Sequence, residues 1–303
     1  MILAYLDQNI ISRVANRTLK LTKGGPVQWI YSDEHFAEIK RSSQPEKYLD
    51  ALDFLLAKKI KAGTLSSEIS LAYEEGSAIE LFSAYQQSIT EVSFDTSTFN
   101  PLISWVAGGK CLEQLQEVPA KCFSEFYSLI DSLPVEIDSS DFKFIEIEFV
   151  NTIYAIGNWD NDINLTRTVL GFDKKKASNL EGGNVIQQLW EVVASNPEIS
   201  KVVTRDQFFG FSPYSSEEHL PLSLEESIVR CCMMLDVLGY YAEPKVRNPN
   251  KVDNVLSDAK HIAAATNCHA LISCDQRLLK RAKAIYEYLN IPTMPSMLET
   301  TSL

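Results

Sequence analysis

Apolar and polar positions alternate in two distinct ways along this chain. Met1 to Leu6 is a short apolar run that stops at Asp7; Gln8 and Asn9 follow, and then Ile10, Ile11 and Val14 recur at helical spacing. The pattern predicts strand, polar turn, helix. Gly24, Gly25 and Pro26 interrupt the chain before Val27 to Tyr31, a second short strand rich in β-formers. Ser32 and Asp33 predict a helix start, with Phe36 and Ile39 on its apolar side and Glu34, His35 and Glu38 in its first turns.

The C-terminal part repeats the motif. Ser257 reads as the cap of a helix in which Ala259, Ile262, Ala263 and Thr266 mark a buried face, so Asp258 falls in its first turn. Ala270 to Ser273 predicts a buried strand with Asp275 just beyond its end. Leu278, Leu279, Ala282, Ile285, Tyr286 and Leu289 then predict an amphipathic helix, and Pro292 to Met297 a last strand. Helix, strand, helix, strand at this spacing predicts an α/β fold with a parallel sheet flanked by helices.

Between about residue 60 and residue 250 the periodicity is mostly helical, for example over Ser77 to Gln87, Cys122 to Leu133, Val185 to Ala194 and Leu224 to Leu238. The expected organisation is therefore a core made of residues 1–60 plus 250–303, with a predominantly helical insertion over 61–249. Breakers at Asn100 and Pro101, Asn196 and Pro197, Pro213, Pro221 and the polar run Arg247 to Asn250 punctuate it.

Charge narrows the function. The 303 residues carry a net charge of -12, which argues against gripping a nucleic acid by a general positive field. A polyanion must be held locally. The basic clusters are Lys58, Lys59 and Lys61; Lys174 to Lys176; and Lys280, Arg281 and Lys283, of which the last follows Asp275. Six cysteines without any C-x-x-C predict neither a disulfide framework nor a zinc site. No apolar run approaches the roughly 18 to 20 residues of a membrane span, and Met1 to Leu6 is not a signal peptide, so the cytoplasm is the expected location.

In an open parallel sheet, ligands bind outside the carboxyl ends of the strands. Asp7 and Asp275 are expected at that edge, with Asp258 and Glu38 on helices beside it. Four carboxylates facing one another repel unless cations are present, and hard cations such as Mg2+ or Mn2+ suit oxygen ligands. Singly, Asp7 and Asp275 also read as helix caps, and Asp258 as a macrodipole residue.

These segments resemble the PIN-domain ribonucleases over the two ends of the chain, roughly 1–60 and 250–300. "YLDQN" at Tyr5 to Asn9 looks like that family's first strand and first metal-binding acid, on Asp7. "YSDEHFAEIKRS", Tyr31 to Ser42, is similar to the segment of the second acid, placed by register at Glu38 with Glu34 as the substitute. "SDAKHIAAATNCHALISCDQRLLKRA", Ser257 to Ala282, carries the third and fourth acids at Asp258 and Asp275, with Ser273 at a position where the family often has a hydroxyl. The resemblance implies metal-dependent hydrolysis of RNA, with DNA not excluded, and in bacteria often a toxin or defence role. An inhibitory protein partner and self-association are compatible with it. Asn9, Ser273, His261, Lys280 and Arg281 are the supporting or substrate-binding candidates.

Two other readings compete. One keeps the PIN-like fold as a catalytically inactive module that binds nucleic acid or protein. The other, an aspartyl phosphotransferase of the haloacid-dehalogenase type, needs a second Asp two residues after the first, and Asn9 stands there.

Overall fold

The computed structural model describes residues 1–61, 73–88, 96–132, 142–172, 177–180, 182–213 and 222–298. The strands among these residues are β1 (Ile2–Leu6), β2 (Val27–Tyr31), β3 (Lys58–Ile60), β4 (Tyr73–Glu74), β5 (Ala270–Ser273) and β6 (Met294–Met297). They form one sheet of order β4-β3-β2-β1-β5-β6. β1 pairs in parallel with both β2 and β5, setting Tyr5 beside Ile30 and Leu271. Only β3–β4 is antiparallel, so the sheet is mixed rather than wholly parallel. The chain leaves β1 for β2 and β3 on one side and returns to β5 and β6 on the other, so the strand order switches at β1. The crevice outside the carboxyl ends of β1 and β5 is where such a topology places ligands.

The longer helices are α1 (Gln8–Ala15), α2 (Asp33–Lys40), α3 (Pro45–Phe54), α4 (Ala78–Ser88), α5 (Asn100–Val106), α6 (Leu112–Ser132), α7 (Lys143–Gly157), α8 (Ile163–Val169), α9 (Val185–Ala194), α10 (Leu224–Leu238), α11 (Val252–Ala265) and α12 (Gln276–Leu289). The predicted helices at 185–194 and 224–238 have these bounds, whereas that at 122–133 is the latter half of α6, Leu133 lying outside the described residues. α11 begins at Val252, five residues before the expected cap. The polar run ahead of it winds into two single turns, one capped when Asn248 Oδ1 accepts from the Asn250 amide at 3.1 Å. Ser257 is consequently inside the helix and donates to Glu34 Oε1, and Asp258 sits in the second turn rather than the first.

One face of the sheet is packed by residues from both parts of the chain. Tyr5, Ile30, Leu271 and Ile285 share a core with Ile186, Leu189, Phe209, Cys231 and Leu235. Phe172, Ala177 and residues of α9 and α10 therefore complete the sheet's own core, while Trp105, Cys111, Leu115 and Ile153 form a separate smaller cluster. Burial of such side chains is worth about 1.5–3 kcal/mol each, which ties α9 and α10 to the sheet. All six cysteines are free. Among the described residues no helix is long and apolar enough to cross a membrane.

Candidate functional site

Asp7 follows β1 directly, and its amide continues the ladder by donating to Ile272 O at 2.9 Å. It occupies the N-cap position of α1, yet its side chain caps nothing there. Instead Oδ2 accepts from Ser273 Oγ at 2.6 Å and, by a short contact, from Asn9 Nδ2. Ser273 Oγ also accepts from Asn9 Nδ2 at 3.0 Å and from the Asp275 amide at 2.8 Å. Asn9 and Ser273 thus fasten the ends of β1 and β5 together around a carboxylate that is 3% exposed. Burial raises its pKa from the ordinary aspartate value, against the opposing pull of His261 and Ser273.

Asp275 behaves differently. It is a true helix cap: Oδ1 accepts from the amides of Arg277 (2.7 Å) and Leu278 (3.3 Å) at the start of α12.

Glu38, on α2, reaches across to α11, where His261 Nε2 donates to its Oε1 at 3.2 Å. His261 is fully buried, and its Nδ1 meets Tyr5 Oη at 2.8 Å; Tyr5 Oη in turn meets Ser32 Oγ at 2.7 Å. Burial opposes ionisation of Glu38, but the His261 hydrogen bond and charge prevail and bring its pKa down to about 2. Burial likewise works against protonated His261, and Glu38 and Asp7 overcome it and raise its pKa. Each thus favours the charged form of the other. His35 beside them is neutral: Nε2 donates to Leu6 O at 2.6 Å, Nδ1 accepts from the Ser32 amide, and burial lowers its pKa to about 3.

Asp258 is pushed up to about 7, first by burial and then by the charge of Asp7, with Arg281 and His261 opposing. Arg281 is the correction among the predicted residues. It is 1% exposed, and its guanidinium lies 3.4 Å from Asp236 Oδ2 and 3.9 Å from Asp258 Oδ2. It is an internal cation behind the acids and cannot be a surface contact for a phosphate. Its neighbour Lys280 lies over the Tyr241 ring, and Lys283 is 3.7 Å from Glu287. Lys59 is buried between Asp33 (2.7 Å) and Glu74 (2.9 Å), and Lys174 to Lys176 lie outside the described residues.

Asp7, Glu38, Asp258 and Asp275 line one cleft of about 300 Å³ together with Gln8, Asn9, Ser12, Asn254 and Val255. Glu34 does not line it; it is turned to Ser257 and Lys260. Compared with protein-family models, curated proteins and solved structures, the chain matches none. The cleft therefore has to be read from its own chemistry.

Two further lining residues, Glu243 and Lys245, come from the loop after α10, where the sequence offers no motif. Arg281 was more legible, since Leu278, Arg281, Ala282 and Ile285 fall at i, i+3, i+4 and i+7 of one buried face.

The donors suit a hard cation in kind: every acid supplies oxygen, and Gln8 adds a buried Oε1 with no hydrogen-bond partner. Among the described residues no three Asp, Glu, His or Cys side chains are gathered into a ready-made cage. Mg2+ keeps several of its waters and needs only one or two carboxylates, so an open, polar cleft of this kind fits a partly hydrated ion.

Proposed function

We propose that the cleft hydrolyses phosphodiester bonds, of RNA in the first instance, with the help of Mg2+ or Mn2+. The observation that supports this reading is the convergence of Asp7, Glu38, Asp258 and Asp275, from four separate elements, on one cleft at the switch point of the sheet. A divalent cation there would supply Lewis acidity toward the phosphate and a water acidic enough to attack it. The side chains define the rest. Ser273 and Asn9 orient Asp7, His261 favours the ionised form of Glu38, and the carboxyl of Asp275, a lining residue of the cleft, is anchored through Oδ1 alone among its described hydrogen bonds. Among the described residues no histidine lines the cleft, and His35 and His261 beside it are buried and engaged at both ring nitrogens, so neither is free to act as the base. The resemblance to PIN-domain ribonucleases points the same way and brings with it the toxin or defence setting, the cytoplasm and an inhibitory partner as parts of the proposal.

The inactive-module reading draws on a specific observation too: Glu38 and Asp275 already have structural partners. One experiment separates them. Purified protein is incubated with mixed cellular RNA and Mn2+, alongside an Asp258→Asn variant and an EDTA control, and the cut ends are mapped. Cleavage abolished by both controls is expected; an RNA-inert protein whose calorimetric Mn2+ titration is flat would leave only the binding module.

A further inference from the structure

We propose that Lys245 is the residue that holds the substrate's phosphate over the acidic cleft, an inference that rests on the phosphodiesterase reading above. Among the described residues the cleft is lined by five carboxylates, those of Asp7, Glu38, Glu243, Asp258 and Asp275, and by a single cationic side chain, that of Lys245. In a chain of net charge -12 a polyanion needs such a local cation to approach. Three other basic groups around it are already paired: Arg281 is buried against Asp236, Arg277 is 3.2 Å from Glu243, and Lys260 is 3.5 Å from Glu34.

The loop is built to present this side chain. α10 ends at Gly239, whose φ of +86° turns the chain in a conformation costly for other residues. Arg167 holds that turn by donating to Val237 O and Asp236 O at 2.7 Å each. Asp236 Oδ1 then accepts from the Glu243 amide at 2.7 Å, and Glu243 Oε1 accepts from the Lys245 amide at 3.3 Å. Next in the chain, Val246 is buried with Ala107 and Val255. The backbone of Lys245 is pinned on both sides while its side chain is exposed and forms no ion pair with a described carboxylate. A rigid base under a free ammonium group is what capture of a mobile anionic ligand requires, since little order must be created on binding.

The test uses the full chain. Binding of a fluorescein-labelled single-stranded oligoribonucleotide is followed by anisotropy in Ca2+ over a range of salt, cleavage kinetics are followed in Mn2+, and Mn2+ binding is followed by calorimetry. For Lys245→Ala we expect about tenfold weaker RNA binding and a salt slope shallower by about 0.7. KM should rise in step with little change in kcat, Mn2+ binding should be undiminished, and Lys245→Arg should restore most of the loss. Lys283→Ala, outside the cleft, should match the wild type. Unchanged RNA affinity and salt slope in Lys245→Ala, or a wild type that takes up Mn2+ but no RNA, would overturn the assignment of Lys245. A wild type that takes up no Mn2+ would instead overturn the reading of the cleft.

Discussion

Replacing Asp258 by Asn should make the metal-free protein more stable at neutral pH while removing its response to metal. The carboxyl of Asp258 is raised to about 7 in the folded chain from 3.8 ordinarily, by partial burial and then by the charge of Asp7. A folded-state pKa above the unfolded one means that the native form keeps a proton the unfolded chain has lost. Stability therefore falls as pH rises from about 4 to about 7 and is level above that. Roughly three pKa units correspond to about 4 kcal/mol as an upper limit. The side chain is 30% exposed, so solvent screening brings the expected penalty to about 2 kcal/mol. Arg281 retains Asp236 at 3.4 Å in the variant, so no buried cation is stranded. Urea unfolding in EDTA should show Asp258→Asn ahead by about 2 kcal/mol at pH 8, and by well under 1 kcal/mol at pH 4. Adding Mn2+ at about a hundred times its Kd should raise the wild type by about 2.7 kcal/mol and the variant by far less. A variant less stable than the wild type at pH 8, or a difference constant from pH 4 to pH 8, would refute the account of Asp258 as a strained carboxylate.

Three further outcomes follow from other parts of the structure. Mn2+ must displace the proton on Asp258, so its affinity measured by calorimetry should weaken about tenfold from pH 8 to pH 6, with proton release larger at the lower pH; a flat profile would contradict this. Arg281→Met leaves buried Asp236 without its counter-ion and should cost about 3–5 kcal/mol in chemical denaturation, while Lys280→Met should stay within about 1 kcal/mol, the reverse of what two equivalent surface cations would give. Gly109→Ala would place a methyl 2.3 Å from Ser104 Oγ and 2.5 Å from Arg247 O, and the resulting overpacking should destabilise by about 1–3 kcal/mol on the same assay.

Much of the framework was legible in the residues. The mostly apolar, β-former-rich runs 27–31 and 270–273 form inner strands of the sheet, and α9 and α10 keep the bounds that helical spacing predicts. The placement of Asp7 and Asp275 beyond strand ends follows from the same local rule. Register favoured Glu38 and left Glu34 as the substitute; the folded chain puts Glu38 in the cleft, because which of two acids on α2 meets it depends on how that helix packs against α11. It turned Asp7 away from its helix toward Ser273, buried Arg281 behind Asp258, and brought Glu243 and Lys245 to the cleft from a loop with no readable signature. Periodicity along a chain reports which face of an element is covered, and that is a property of near neighbours. The partner of a buried charge is set by residues tens or hundreds of positions away, and only the folded chain brings them within reach.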